Sequence, residues 1–66
     1  MFSQEFQDGV LFAVAMLVHN NDQPTMAACI LLSADMENAD CSRMDGMEKK
    51  SLRLVNEEHD IVLTGL

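Results

Sequence analysis

The stretch Pro24-Thr25-Met26-Ala27-Ala28-Cys29-Ile30-Leu31-Leu32-Ser33-Ala34-Asp35-Met36 decides how the rest of this chain is read. It opens on a proline, which suits the first position of a helix because its missing N–H would have no partner there. The turn formers His19-Asn20-Asn21-Asp22-Gln23 precede it and mark the clearest boundary in the sequence. A helix over residues 24–36 is expected. Met26, Cys29, Ile30, Leu31, Leu32 and Met36 would point in every direction around it, with Ala27, Ala28 and Ala34 between them, so the helix should be central. A chain of 66 residues hides only about 60% of its unfolded surface, and two flanking helices struggle to cover such a cylinder from all sides. Self-association as a homodimer is one natural way to shield it.

Working outward, Ser3 is suited to cap a first helix, with Glu5 in its first turn where the helix dipole favours negative charge. That helix should run to residue 18 or 19. Downstream, residues 37–42 are polar and read as a loop. Asp45 followed three positions later by Glu48 resembles a capping box and starts a third helix over 46–58. A hairpin of residues 51–55 with 61–64 is the rival, but periodicity favours the helix. Met47, Ser51, Leu52, Leu54 and Val55 fall on one arc of roughly 160°, opposite Lys49, Lys50, Arg53, Asn56 and Glu57. Residues 60–66 alternate too weakly to separate a short strand from an extended arm. The expected fold is a single all-α domain over residues 1–66, three helices with a short extended C-terminal tail.

Composition narrows the class. Apolar residues make up 48%, too many for a disordered acidic tail. Two cysteines are too few for a disulfide-stapled scaffold, and the start lacks a positive stretch for export, so a reducing cytoplasm is expected. The longest wholly apolar run, residues 10–18, is far below the roughly 20 residues that span a bilayer.

Little chemistry is legible. Among His19, Cys29, Cys41 and His59 there is no C-x-x-C or H-x-x-x-H pair, so neither a metal site nor a cofactor is expected. Cys29, inside an apolar helix, reads as a small buried hydrophobe, and Cys41, in a polar loop, as an exposed free thiol. Met44 and Met47, next to that loop, should lie at a rim. No activated nucleophile and no glycine-rich phosphate loop is visible, and Glu57, Glu58, His59 and Asp60 read as a solvated helix end. An enzyme is not expected.

Charge is more informative. The chain carries a formal charge of -7, and its first 42 residues hold six carboxylates without a single Lys or Arg. Glu5, Asp8, Asp22, Asp35, Glu37 and Asp40 could present spaced negative charge to a basic groove on a nucleic-acid-handling protein, and electrostatic steering would speed that encounter. Solubility alone also explains an acidic balance. On the first helix Phe12 falls among Asp8, Ala15 and His19, residues that ought to face water. Either a loop or the tail covers it, or it anchors an interface. In the competing reading, Lys49, Lys50 and Arg53 form the DNA-contacting face of a helix-turn-helix. The connection of about eight residues, where that motif has three or four, and the negative balance weigh against it. An exposed apolar strip could also complete a larger assembly as a structural subunit. In size, charge and want of catalytic residues the chain resembles the inhibitor proteins that phages and mobile elements direct against host defence nucleases, anti-CRISPR proteins among them. The resemblance is one of style, with no shared motif.

Overall fold

The computed structural model describes residues 3–66 and contains three helices, α1 (Gln4–Asn21), α2 (Pro24–Ser33) and α3 (Gly46–Glu58), packed pairwise around one core. Local chemistry sets each helix start. The Ser3 hydroxyl accepts from the Phe6 N–H at 3.2 Å. Pro24 occupies the first turn of α2, where no side chain caps the end. Asp45 and Glu48 form a complete capping box, the Glu48 N–H donating to Asp45 Oδ1 at 2.9 Å and the Asp45 N–H to Glu48 Oε1 at 3.3 Å.

α3 ends at Glu58 as expected, but the ends of α1 and α2 depart from expectation. α1 continues to Asn21 and stops where Asp22 turns left-handed at φ 51°. α2 stops at Ser33 rather than at residue 36, because Asp35 turns left-handed at φ 58°. The Met36 N–H then reaches the Leu31 carbonyl at 2.8 Å and the Asp35 N–H reaches Leu32 at 3.1 Å, the two bonds of a Schellman cap. Aspartate tolerates this conformation better than most residues, yet it is no glycine, so the stop was not legible.

α2 is not buried on all sides. Ala27, Ala28 and Leu31 face the core, whereas Met26, Cys29, Ile30 and Leu32 are exposed. The residues expected to form a plain polar loop do much of the sealing instead. Met36, Ala39 and Cys41 are buried, as are Ile61 and Leu63 of the tail. These five join Leu11, Val14, Ala15 and Val18 of α1 and Leu52 and Val55 of α3 in a single cluster. The surface, 4020 Å², is close to the roughly 4,200 Å² that size scaling gives for a 7.3 kDa chain, so one copy closes its own core.

The tail is an extended arm that pairs in parallel with the connection between α2 and α3. The Val62 N–H donates to Glu37, the Thr64 N–H to Ala39, and the Cys41 N–H back to Thr64, at 2.9, 3.0 and 2.8 Å. Alternation follows, with Ile61 and Leu63 inward and Val62 and Thr64 outward. Leu63 points its backbone the other way, and there the Asn56 side chain replaces a strand. Its Oδ1 accepts from the Leu63 N–H at 3.0 Å and its Nδ2 donates to the Leu63 carbonyl at 3.1 Å. Asn56→Ala therefore removes two hydrogen bonds and strands partly buried backbone groups. It should lower the unfolding free energy by about 2 kcal/mol in a denaturant titration, against less than about 0.5 kcal/mol for Val62→Thr on the exposed side.

Candidate interaction surfaces

Five of the six N-terminal carboxylates gather at one pole of the molecule. Consecutive α1 and α2 run back to back, so the first turns of α1 lie beside the end of α2. A groove of about 430 Å³ there is lined by Gln7 on one side and by Ser33, Asp35, Asn38 and Ala39 on the other. Asp35 lines this groove, Asp8 follows Gln7, Glu37 falls between Met36 and Asn38, Asp40 follows Ala39, and Glu5 lies one turn before Asp8; Arg43 lies beside Asp8 and, with Lys49, near Asp40. Asp22 closes the far end of α1, about 25 Å from Glu5 at 1.5 Å per residue.

The carboxylates are not equivalent. Glu5 and Asp35 are exposed. Asp8 is engaged by Arg43 Nη2 at 3.2 Å and by Gln4 Nε2 at 2.9 Å. Asp40 accepts from the backbone N–H and the hydroxyl of Ser42, and these bonds hold its carboxyl below the usual range, helped by Arg43 and Lys49. Glu37 is half-buried, with Oε2 enclosed and unpartnered, as is Nε2 of His59.

The cations of the alternative nucleic-acid face, Lys49, Lys50 and Arg53, stay within one turn of α3 but have different neighbours. Arg53 donates to the backbone carbonyl of Leu66, Lys49 lies within electrostatic reach of Asp40 and Cys41, and Arg43 is spent on Asp8. Lys50 lines a separate groove of about 490 Å³ with His19, Met47 and Leu54. Met44 is half-buried against the core, and Met47 is exposed.

Apolar surface was only partly anticipated. Phe12 is 50% exposed, so neither loop nor tail covers it, while its neighbour Ala15, expected to face water, is fully buried. A second surface lies between α1 and α2, a shallow groove of about 410 Å³ lined by Phe6, Val10, Cys29, Ile30, Ser33 and Ala34. It carries no charged side chain. Sequence reading missed it because an all-round apolar α2 conceals which side the neighbours leave open.

The thiols are placed opposite to expectation. Cys29 is exposed because it lies on the outer side of α2, away from Ala27, Ala28 and Leu31. Cys41 is buried because the tail closes over it, and its Sγ points to the Ala39 carbonyl. Burial, followed by the charge of Asp40, pushes the Cys41 thiol up from an ordinary 9.0 to about 11. Among the described residues, no three His, Cys, Asp or Glu side chains converge to hold a metal ion, and no helix is long and apolar enough to cross a membrane.

At neutral pH and low protein concentration, a thiol reagent should label Cys29 promptly and Cys41 at least roughly a hundredfold more slowly, the two rates converging in denaturant. Alkali gives a second readout. The unfolded thiol ionises near 9.0 while the folded one keeps its proton to about 11, so between these values the unfolded state binds fewer protons and stability falls as pH rises. Cys41→Ala should flatten that decline in denaturation curves taken from pH 8 to 11.

Compared with known proteins, the chain matches no family model, no curated protein and no solved structure.

Proposed function

We propose that the chain is a non-catalytic interaction module, a small acidic inhibitor or regulator that docks its carboxylate-rich pole on a basic surface of a nucleic-acid-handling protein. The observation that carries this reading is a charge of -7 together with a groove lined by Asp35, beside whose other lining residues the chain places Asp8, Glu37 and Asp40, with Glu5 one turn before Asp8. Glu5 and Asp35 are exposed there, so long-range attraction to a basic partner would cost little desolvation before contact. Phe12, half-exposed on α1, supplies an apolar anchor of the kind that carries much of the energy in small interfaces. In style this is the kit of the anti-defence inhibitors of phages and mobile elements. Two of the four basic side chains are occupied within the chain, by Asp8 and by the Leu66 carbonyl, which favours this reading over direct contact with DNA.

The test is a salt-resolved binding measurement with the basic nucleic-acid-binding protein that co-purifies from the native host. Association should slow steeply with ionic strength, and duplex DNA should compete for the partner. Glu5→Lys with Asp35→Lys should weaken binding about tenfold, whereas Asp22→Lys, a reversal of equal sign at the opposite pole, should change it less than about twofold. Equal losses from both variants, or a complex indifferent to salt, would remove the docking assignment. A mobility shift of DNA by the chain itself, lost in Lys49→Glu with Arg53→Glu, would replace it with the nucleic-acid reading.

A further inference from the structure

The geometry points to a binding site for a small amphiphilic monoanion, a carboxylate head on a short hydrocarbon body, in the groove where the start of α3 meets the end of α1. The acidic-pole docking above neither requires this nor follows from it. The groove, of about 490 Å³, falls within the size range of small-molecule pockets.

Ser51 marks the site. It is only 4% exposed, yet it lines this groove, and its hydroxyl has no hydrogen-bond partner among the described residues. A serine inside a helix commonly returns its proton to the carbonyl one turn before. This one does not, and its oxygen is not sealed off in the core either, so what opening it keeps is toward the groove.

The backbone supplies two more donors. The Asp45 carboxylate takes the Glu48 N–H and the Asp45 carbonyl takes that of Lys49, which leaves the N–H groups of Gly46 and Met47 without partners among the described residues. Gly46 keeps the approach open, since a Cβ there would meet nothing within 4 Å. Lys50, one turn on, is exposed and makes no ion pair among the described residues, and long helical side chains lean back toward the N-terminus. From α1, His19 adds at least one ring N–H.

Charge fixes the head group. One uncommitted ammonium and the positive end of a 13-residue helix are set against Asp45 at the same terminus and Asp22 one turn beyond His19, in a chain at -7. That compensates a single negative charge and is too little for a phosphate dianion. The walls fix the body. Val18 with Met47 and Leu54, the latter two 41% and 42% exposed, present apolar surface beside these donors. Met47 and Leu54 lie two turns apart, about 10 Å along the helix, the reach of a chain of roughly six to eight carbons.

Hexanoate is the probe, read by the amide chemical shifts of the isotope-labelled full chain. It should move the Gly46 and Met47 amide protons downfield and saturate with a Kd on the order of 1 mM. Acetate, 1-hexanol and inorganic phosphate should each bind at least about tenfold more weakly, for want of the body, the charge or the charge match. Lys50→Gln should weaken hexanoate about tenfold and Ser51→Ala about fivefold, both with unchanged helical circular dichroism, because Lys50 is exposed and alanine is the better helix former. Lys49→Gln, on the side of Asp40, should change the affinity less than about twofold. Shifts that stay linear up to about 50 mM overturn the assignment, as does saturation that leaves Gly46 and Met47 unmoved. So does a Kd that 1-hexanol or phosphate equals, that neither Lys50→Gln nor Ser51→Ala changes, or that Lys49→Gln weakens as much as Lys50→Gln.

Discussion

The fold depends on a short parallel pairing between segments about 25 residues apart. Three backbone hydrogen bonds tie residues 37–41 to residues 62–64, and Asn56 holds Leu63 from the other side. Closing so long a loop costs conformational entropy that must be recovered by burial. The recovery comes from Met36, Ala39, Cys41, Ile61 and Leu63, all outside the helices. Without them the core would rest on the helices alone, and α2 contributes only two alanines and one leucine. The arm is thus the third wall of the domain. Gly65 belongs to the same arrangement: at φ 75°, a Cβ there would come within 2.6 Å of the Ser42 backbone nitrogen.

Because irregular segments seal the core, much of the apolar surface of the helices is left outside it. Among the described residues, eight large hydrophobic side chains are exposed, on all three helices and the tail. The charge is distributed in a complementary way. Carboxylates collect where the start of α1 meets the end of α2, and the flank between these helices is neutral. The two grooves adjoin, both being lined by Ser33 and Ala34.

The carboxylates also have roles inside the chain. Asp22 and Asp35 end helices in left-handed conformations, Asp45 and Glu48 start one, Asp8 holds Arg43, and Asp40 folds back on Ser42. A negative balance read from composition as a property of the surface is thus partly a set of turn and cap residues. Glu5 and Asp35, exposed at the pole, remain the side chains through which a partner would sense that charge.

The sequence by itself determined what is short-range: three helices, where each begins, and the helical rather than hairpin state of residues 46–58. Ser3, Pro24 and the Asp45–Glu48 box act on backbone groups within one turn, and a caps-and-periodicity reading captures such interactions. The basic residues of α3 and the polarity of residues 37–42 were equally visible, but their consequences were not. Tertiary structure decided the left-handed stop at Asp35, the burial of Cys41 against the exposure of Cys29, the open flank of α2, the meeting of five carboxylates at one pole, and the pairing of the tail. Each of these depends on which distant segment arrives as a neighbour. Alternation in residues 61–64 is too brief to announce a strand, and Asn56 has the look of a surface residue until Leu63 is placed beside it.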